Sequence, residues 1–164
     1  MRRRDFITVL GGAAVVWPLA ARAQQPERVR RIGMLMSLAA DDPESLARLT
    51  AFLQRLQELG WTDGRNIRID YRWAAGDAER SRRYAPELVA LAPDVILAAG
   101  SVGLEALQQA TRTVPIVFVT IADPVGAGFI NSLARPGGNA TGFSQFEYGV
   151  IGNGWNCSKR SRRA

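Results

Sequence analysis

VPIVFVTIADPVGAGFINSLARPGGNATG, residues Val114–Gly142, is the stretch on which the fold turns. Ile116, Val117, Phe118 and Val119 form a short unbroken apolar run between Pro115 and the polar Thr120. A run with no polar alternate reads as a strand buried on both faces, and such a strand needs a parallel sheet with helices above and below. The chain leaves the carboxyl end of this strand through Ile121–Ala122–Asp123–Pro124. Asp123 precedes a proline and is held out of the α region, so a helical path can restart only after it. Gly126 and Gly128 permit a close backbone approach, and Pro136–Gly137–Gly138–Asn139 makes a second hard turn before Ala140–Ser144. Ligands of open α/β sheets bind outside the carboxyl ends of the strands. The stretch supplies one such end and a loop shaped to reach across it.

The sequence upstream of this stretch alternates in the same way. Residues 31–37 (RIGMLMS) read as a first strand, followed by a polar loop from Ser37 to Pro43. Asp42–Pro43–Glu44 has the order of a helix start: capping residue, proline, acid. Leu46, Leu49, Phe52, Leu53, Leu56 and Leu59 then recur at helical spacing, predicting a helix over 43–59 that Gly60 ends. Ile67, Ile69 and Tyr71 alternate with Arg68, Asp70 and Arg72, predicting a half-buried strand over 66–73. A helix over 77–91 follows, with Tyr84, Leu88 and Leu91 inward and Arg80, Arg82 and Arg83 on a solvated face. A strand over 95–99, a helix over 101–111 and the strand over 116–120 complete the series. The expected fold class is therefore α/β: a doubly wound parallel sheet with helices on both faces and right-handed crossovers.

The formal net charge of +6 is carried by the ends of the 164-residue chain. Residues 1–23 hold +3 and residues 155–164 hold +4, leaving the body at −1. A nucleic-acid surface needs basic residues gathered on the folded body, so no nucleic-acid partner is expected. Cys157 stands alone and cannot close an internal disulfide. With no histidine in the chain, histidine-based triads and histidine metal sites are excluded.

Residues 1–23 read as an export signal. Arg2–Arg4 give the positive start, Ile7–Leu19 is apolar but short for a membrane span, and Ala21–Arg22–Ala23 is a small-x-small cleavage pattern. Arg3–Arg4–Asp5–Phe6–Ile7 matches the twin-arginine type, which is read by a receptor rather than used as an anchor. The expected location is the bacterial periplasm.

One juncture invites a ligand on its chemistry alone. The strand over 95–99 ends in Gly100–Ser101 and a helix begins. Backbone N–H groups at a helix start, together with the helix dipole, favour an anion such as a carboxylate. Ser101 reads equally as the cap of that helix. Gly100–Ser101–Val102–Gly103 is not a phosphate loop, since it lacks the lysine and the further glycines. Gly33 stands alone after the first strand, without a dinucleotide fingerprint, and nothing pairs Asp123 with Glu147 as acid and base. A small α/β enzyme and a regulator's sensor domain are the competing readings. A regulator's sensor would need a DNA-binding helix-turn-helix ahead of it, where this chain has an export signal.

Residues 31–148 resemble the substrate-binding proteins of bacterial ABC transporters, of the tryptophan/tyrosine type and the type I periplasmic binding fold. The resemblance is carried by Ile32–Gly33, Gly60 with Gly64–Arg65–Asn66, Ile69–Tyr71–Arg72, Pro93–Asp94–Val95–Ile96, Pro115–Ile116–Val117–Phe118, Asp123–Pro124–Val125–Gly126, and Arg135–Pro136–Gly137–Gly138–Asn139 with Thr141–Gly142. The leader MRRRDFITVLGG…WPLAARAQQ also fits. The resemblance implies two α/β lobes joined by a hinge and no catalysis, metal or cofactor. It implies a small solute held between the lobes, an amino acid or a related carboxylate or amide, and delivery to an ABC permease with its ATPase. In the first lobe the implied ligand-binding positions are Ser37 after the first strand, Gly100 and Ser101 after the third, and Thr120 and Asp123 after the fourth.

The resemblance ends near Tyr148. Residues 149–164 carry no apolar period where the family continues into a second lobe. The string NGWNCSKRSRR can be encoded so that a frame two bases later reads WLELLKEIAP, an amphipathic helix. The expectation is a first lobe over 24–148, a frameshifted and disordered tail over 149–164, and an impaired copy of the binding protein.

Overall fold

The computed structural model describes residues 28–144. The signal expected at 1–23 and the tail expected at 149–164 lie outside the described residues.

Strands and helices alternate as β1 (Arg30–Met36), α1 (Pro43–Glu58), β2 (Ile67–Trp73), α2 (Ala78–Ala90), β3 (Val95–Ala99), α3 (Ser101–Ala110) and β4 (Ile116–Ile121), followed by β5 (Ala140–Ser144). The five strands form one sheet in the order β2-β1-β3-β4-β5, and every adjacent pair is parallel. This is the expected α/β class. The strand and helix bounds read from sequence fall within a few residues of those observed, as is normal where helix ends fray.

Two features depart from the sequence reading. Ala140–Ser144 is a fifth strand, not only the sequel to a turn. And no helix follows Pro124: residues 124–128 form turns, and an irregular path leads to Asn139. Pro124, Gly126, Gly128, Pro136 and Gly137 together leave too little uninterrupted chain for helix nucleation. The path is nonetheless packed. Ile130 is buried, Phe129 and Leu133 lie against the core, and Gln108 of α3 donates to the Phe129 carbonyl at 2.9 Å. It does for β4 and β5 what a crossover helix would do.

The pleat divides the core into two layers. Leu35, Ile96, Ala98, Ile116 and Phe118 face α2, α3 and the 122–139 path. Met34, Met36, Ile67 and Ile69 face α1, through Leu49, Phe52, Leu53 and Leu56. Leu46 and Leu59, assigned to the apolar stripe of α1 by spacing, are exposed, and Ser45 is buried instead. Gly33 lies beneath α2, where a β-carbon would stand 3.2 Å from Ile96 and 3.4 Å from Leu88. The glycine lets α2 settle close to β1.

The amino edge of the sheet is fastened by polar side chains. Asp94 accepts from the Arg31 N–H at 2.8 Å, while its own N–H donates to the Arg31 carbonyl at 2.8 Å, locking β3 to β1. Arg31 also reaches Asp70 on β2 at 2.6 Å. Asn66 accepts from the Thr62 N–H at 2.7 Å and donates to the Gly60 carbonyl at 2.8 Å, shaping the entry to β2. Asn139 donates to the Val114 carbonyl at 2.8 Å and accepts, through its backbone carbonyl, from the Ile116 N–H at 2.8 Å. It joins the entries of β4 and β5. Gly137 has φ +81°, and a β-carbon there would strike Asn131.

Candidate functional site

A sheet in the order β2-β1-β3-β4-β5 reverses direction between β1 and β3, and the loops leaving those two strands part to opposite faces. The crevice between them is where such folds place ligands. Here β1 runs out at Ser37 towards α1, and β3 runs out at Gly100 into α3 on the other face.

Gly100 is the pivot of this crevice. Its backbone sits at φ 84° and ψ 162°, a region essentially closed to residues with a β-carbon. A β-carbon at Gly100 would also stand 3.3 Å from Ser37 Cβ and 3.5 Å from Ser37 Oγ. The Gly100 N–H donates to the Val119 carbonyl at 3.0 Å, which holds the turn against β4. Gly100, not Ser101, occupies the capping position; Ser101 is the first residue of α3 and is exposed. Of the two sequence readings of Ser101, the capping one does not hold.

A glycine cap brings no side-chain oxygen, and the start of α3 has no side-chain cap. The other two described helices are different. Asp42 accepts from the N–H groups of Glu44 and Ser45 at the start of α1, and Asp77 from those of Glu79 and Arg80 at the start of α2. Those backbone donors pull the Asp77 carboxyl below the usual carboxylate range. Among the described helices, the positive end of α3 is the one with no protein carboxylate on it.

Ser37, Gly100 and Ser101 come together around a small cleft of about 70 Å³, with Val102 and Gly103 of α3 and Ala74 and Gly76 from the end of β2. Ala74 and Gly76 were not foreseen. Their signal was Gly76–Asp77 at a helix start, read only as punctuation. The cleft is small, closer to the scale of a carboxylate than of a whole amino acid.

Thr120 lies at the carboxyl end of β4 with φ +59°. A β-branched residue at positive φ is a true outlier. The position coincides with the register shift between β4 and β5 after Phe118. The Thr120 hydroxyl donates to the Val119 carbonyl at 2.7 Å. Thr120 and Ser37 border a second cavity, of about 120 Å³, which is apolar and runs beneath α1.

Asp123 lines neither cavity. Its Oδ1 accepts from the Gly126 N–H at 2.7 Å and closes the turn after β4. Any β-carbon at residue 126 would collide with that carboxylate, which explains the glycine of the Asp123–Pro124–Val125–Gly126 sequence. One carboxylate oxygen remains outside this bond, and the residue is half-buried. Among the described residues, no group of three histidine, cysteine or carboxylate side chains could hold a metal.

A 95-residue stretch is 36% identical to the tyrosine-binding protein of Clostridioides difficile strain R20291, covering 58% of this chain and 28% of that one. Among solved structures, a ligand-free, open substrate-binding protein with adhesive properties from Clostridium difficile superposes with a TM-score of 0.66 at 33% identity. It is covered over 40% of its length by 73% of this chain. An ABC domain from Streptococcus pneumoniae in complex with L-Trp superposes with a TM-score of 0.62 at 30% identity, 70% of this chain against 38% of that one. The chain thus spans well under half the length of these relatives. The sequence profile described as ABC transporter substrate binding protein matches residues 34–149, which is most of the chain. With the parallel sheet in place, that match makes this chain a member of the ABC transporter substrate-binding protein family.

Proposed function

We propose that the chain serves as a solute-binding component of an ABC importer and takes the carboxylate of a small amino acid-like solute at the start of α3. The observation that carries this reading is the uncapped α3 terminus, opened by Gly100 and facing Ser37 across the β1/β3 crevice. Ser37 and Ser101 supply hydroxyls beside the bound carboxylate. The Thr120 hydroxyl oxygen and, from outside both cavities, the Asp123 oxygen that Gly126 leaves unengaged are the acceptors we assign to the solute's amine. Relatives named for tyrosine and found with L-Trp support an aromatic amino acid as the first solute to try.

The described lobe supplies one wall. A binder of this kind gains affinity by burying its ligand between two walls. The 164-residue polypeptide alone therefore binds weakly, with solvent competing for each hydrogen bond. Titration of the ¹⁵N-labelled chain with L-tryptophan and a panel of other amino acids tests both points. The amide signals of Ser101, Val102 and Gly103 should shift at millimolar solute. Their silence at saturating solute would refute the site, and micromolar affinity would refute the one-wall reading.

The same proposal places the protein in the periplasm, exported by its twin-arginine leader, with an ABC permease and ATPase as partners.

A further inference from the structure

Ser37 and Thr120, at the exits of β1 and β4, belong to two cavities' surroundings at once. Both border the 120 Å³ cavity beneath α1, and Ser37 also lines the small cleft at the start of α3. The carboxylate site therefore adjoins a cavity that a carboxylate does not use. Met34, Met36, Leu97 and Val119 of the sheet face Leu49 and Phe52 of α1 across it. Arg48 is the charged residue beside it, and its side chain is 43% exposed and paired with Glu44 one turn earlier. The cavity thus suits an uncharged, mainly apolar group.

Ser45 breaks the apolar lining. It is wholly buried in the first turn of α1, and its hydroxyl has no hydrogen-bond partner among the described residues. Its backbone N–H donates to Asp42 at 3.0 Å, so the helix cap pins the residue and leaves its side chain unused. Buried hydroxyls are ordinarily satisfied, and an exception asks for an explanation. Size narrows the answer. Apolar cavities of about 150 Å³ take up benzene. One of about 120 Å³ that adjoins an open cleft is on the scale of a single ring. The thioethers of Met34 and Met36 and the ring of Phe52 are favourable neighbours for an aromatic group.

We propose that this cavity receives the side chain of the solute, and that Ser45 is its specificity-determining residue. Ser45 selects a single aromatic ring tipped by a hydroxyl over the same ring without one. The inference rests on the carboxylate site proposed for the start of α3 and adds the side-chain class to it. A phenolic hydroxyl and a serine hydroxyl can each donate or accept, so the pair forms in either sense. A bare ring fills the same space and leaves Ser45 Oγ unanswered. That unpaired group, rather than shape, is what penalises the bare ring.

The test uses the 164-residue chain labelled with ¹⁵N and with ¹³C in its methionine methyl groups. The methyl signals of Met34 and Met36 report on the cavity, and the amides of Ser101, Val102 and Gly103 on the carboxylate site. The probes are 3-(4-hydroxyphenyl)propionate, 3-phenylpropionate and p-cresol, which has the ring and hydroxyl but no carboxylate. The hydroxyphenyl acid should move both sets of signals and bind about three- to tenfold tighter than the phenyl acid. Ser45→Ala should erase that advantage, leave the phenyl acid's affinity unchanged, and not lower the urea midpoint, since it removes an unpaired hydroxyl. p-Cresol should move the methionine signals by itself. Two results would overturn the subsite and spare the carboxylate site: amide shifts with both methionines silent, or an advantage for the hydroxyphenyl acid that survives Ser45→Ala. Methionine shifts from p-cresol, with the amides silent to both acids at saturation, would instead refute the carboxylate site and with it the assignment of the cavity to the solute.

Discussion

At the scale of single residues, the carboxyl edge is built from backbone conformations that most side chains resist. Gly100→Ala would force a β-carbon into the Ser37 side chain at an unfavourable φ, and should destabilise the chain by about 1–3 kcal/mol in urea unfolding. Thr120 is the converse case. It holds φ +59° despite its branched side chain. Strain of this kind runs to about 1–3 kcal/mol, so Thr120→Gly should stabilise the fold by about 1 kcal/mol after the entropy of the added glycine is charged against it. A loss of stability on that change would show that Thr120 is not strained. Conformational strain gathers where a site overrides local preference, and Thr120 lies where the ligand edge was read.

At the scale of elements, β3 depends on one carboxylate at its entry. The Arg31 N–H is the main reason the Asp94 carboxyl lies below its usual range, with Arg30 adding to it against the opposing effect of burial. The side chain of Arg31 lowers Asp70 in the same way, chiefly through its hydrogen bond. A carboxyl depressed in the folded state contributes stability that is present above its unfolded value, about 3.9, and is lost as pH falls through the folded value. Stability should thus be level from pH 5 to 7 and decline below about pH 4. Asp94→Ala should cost about 1–2 kcal/mol near neutral pH, by stranding a half-buried N–H, and should flatten the acid limb of the stability profile. An acid limb as steep as in the unmodified chain would contradict this account. The elements themselves were legible because each declares itself locally: the apolar run at 116–119, the Asp42–Pro43–Glu44 start, the alternation at 67–72. β5 was not, because ATGFS has neither an apolar run nor a clean alternation and becomes a strand only by pairing with β4. Of the site, Ser37, Gly100 and Ser101 could be read from their places at strand ends. The identity of the cap could not, since Gly100 and Ser101 are both acceptable capping residues. The turn made by Asp123 and Gly126 was hidden too, because their contact is a matter of three-dimensional distance.

At the scale of the whole molecule, export is the prediction that most directly tests the reading of the leader. Fusing residues 1–30 to a reporter that must fold before transport should carry it across the inner membrane, and Arg3–Arg4→Lys–Lys should reduce export at least tenfold, an effect scored by cell fractionation. Equal export of both forms would refute the twin-arginine route. The fold itself separates two kinds of demand. All the described strands run the same way, so every entry among them lies on one rim and every exit on the other. The fastenings by Asp94, Asn66 and Asn139 occupy the entry rim, and the cleft of Ser37, Gly100 and Ser101 occupies the exit rim. If the exit rim holds the proposed solute, selection for a new one could rewrite that rim while leaving the structural rivets of the other untouched, so that a lineage of such chains could change its diet without renegotiating its architecture.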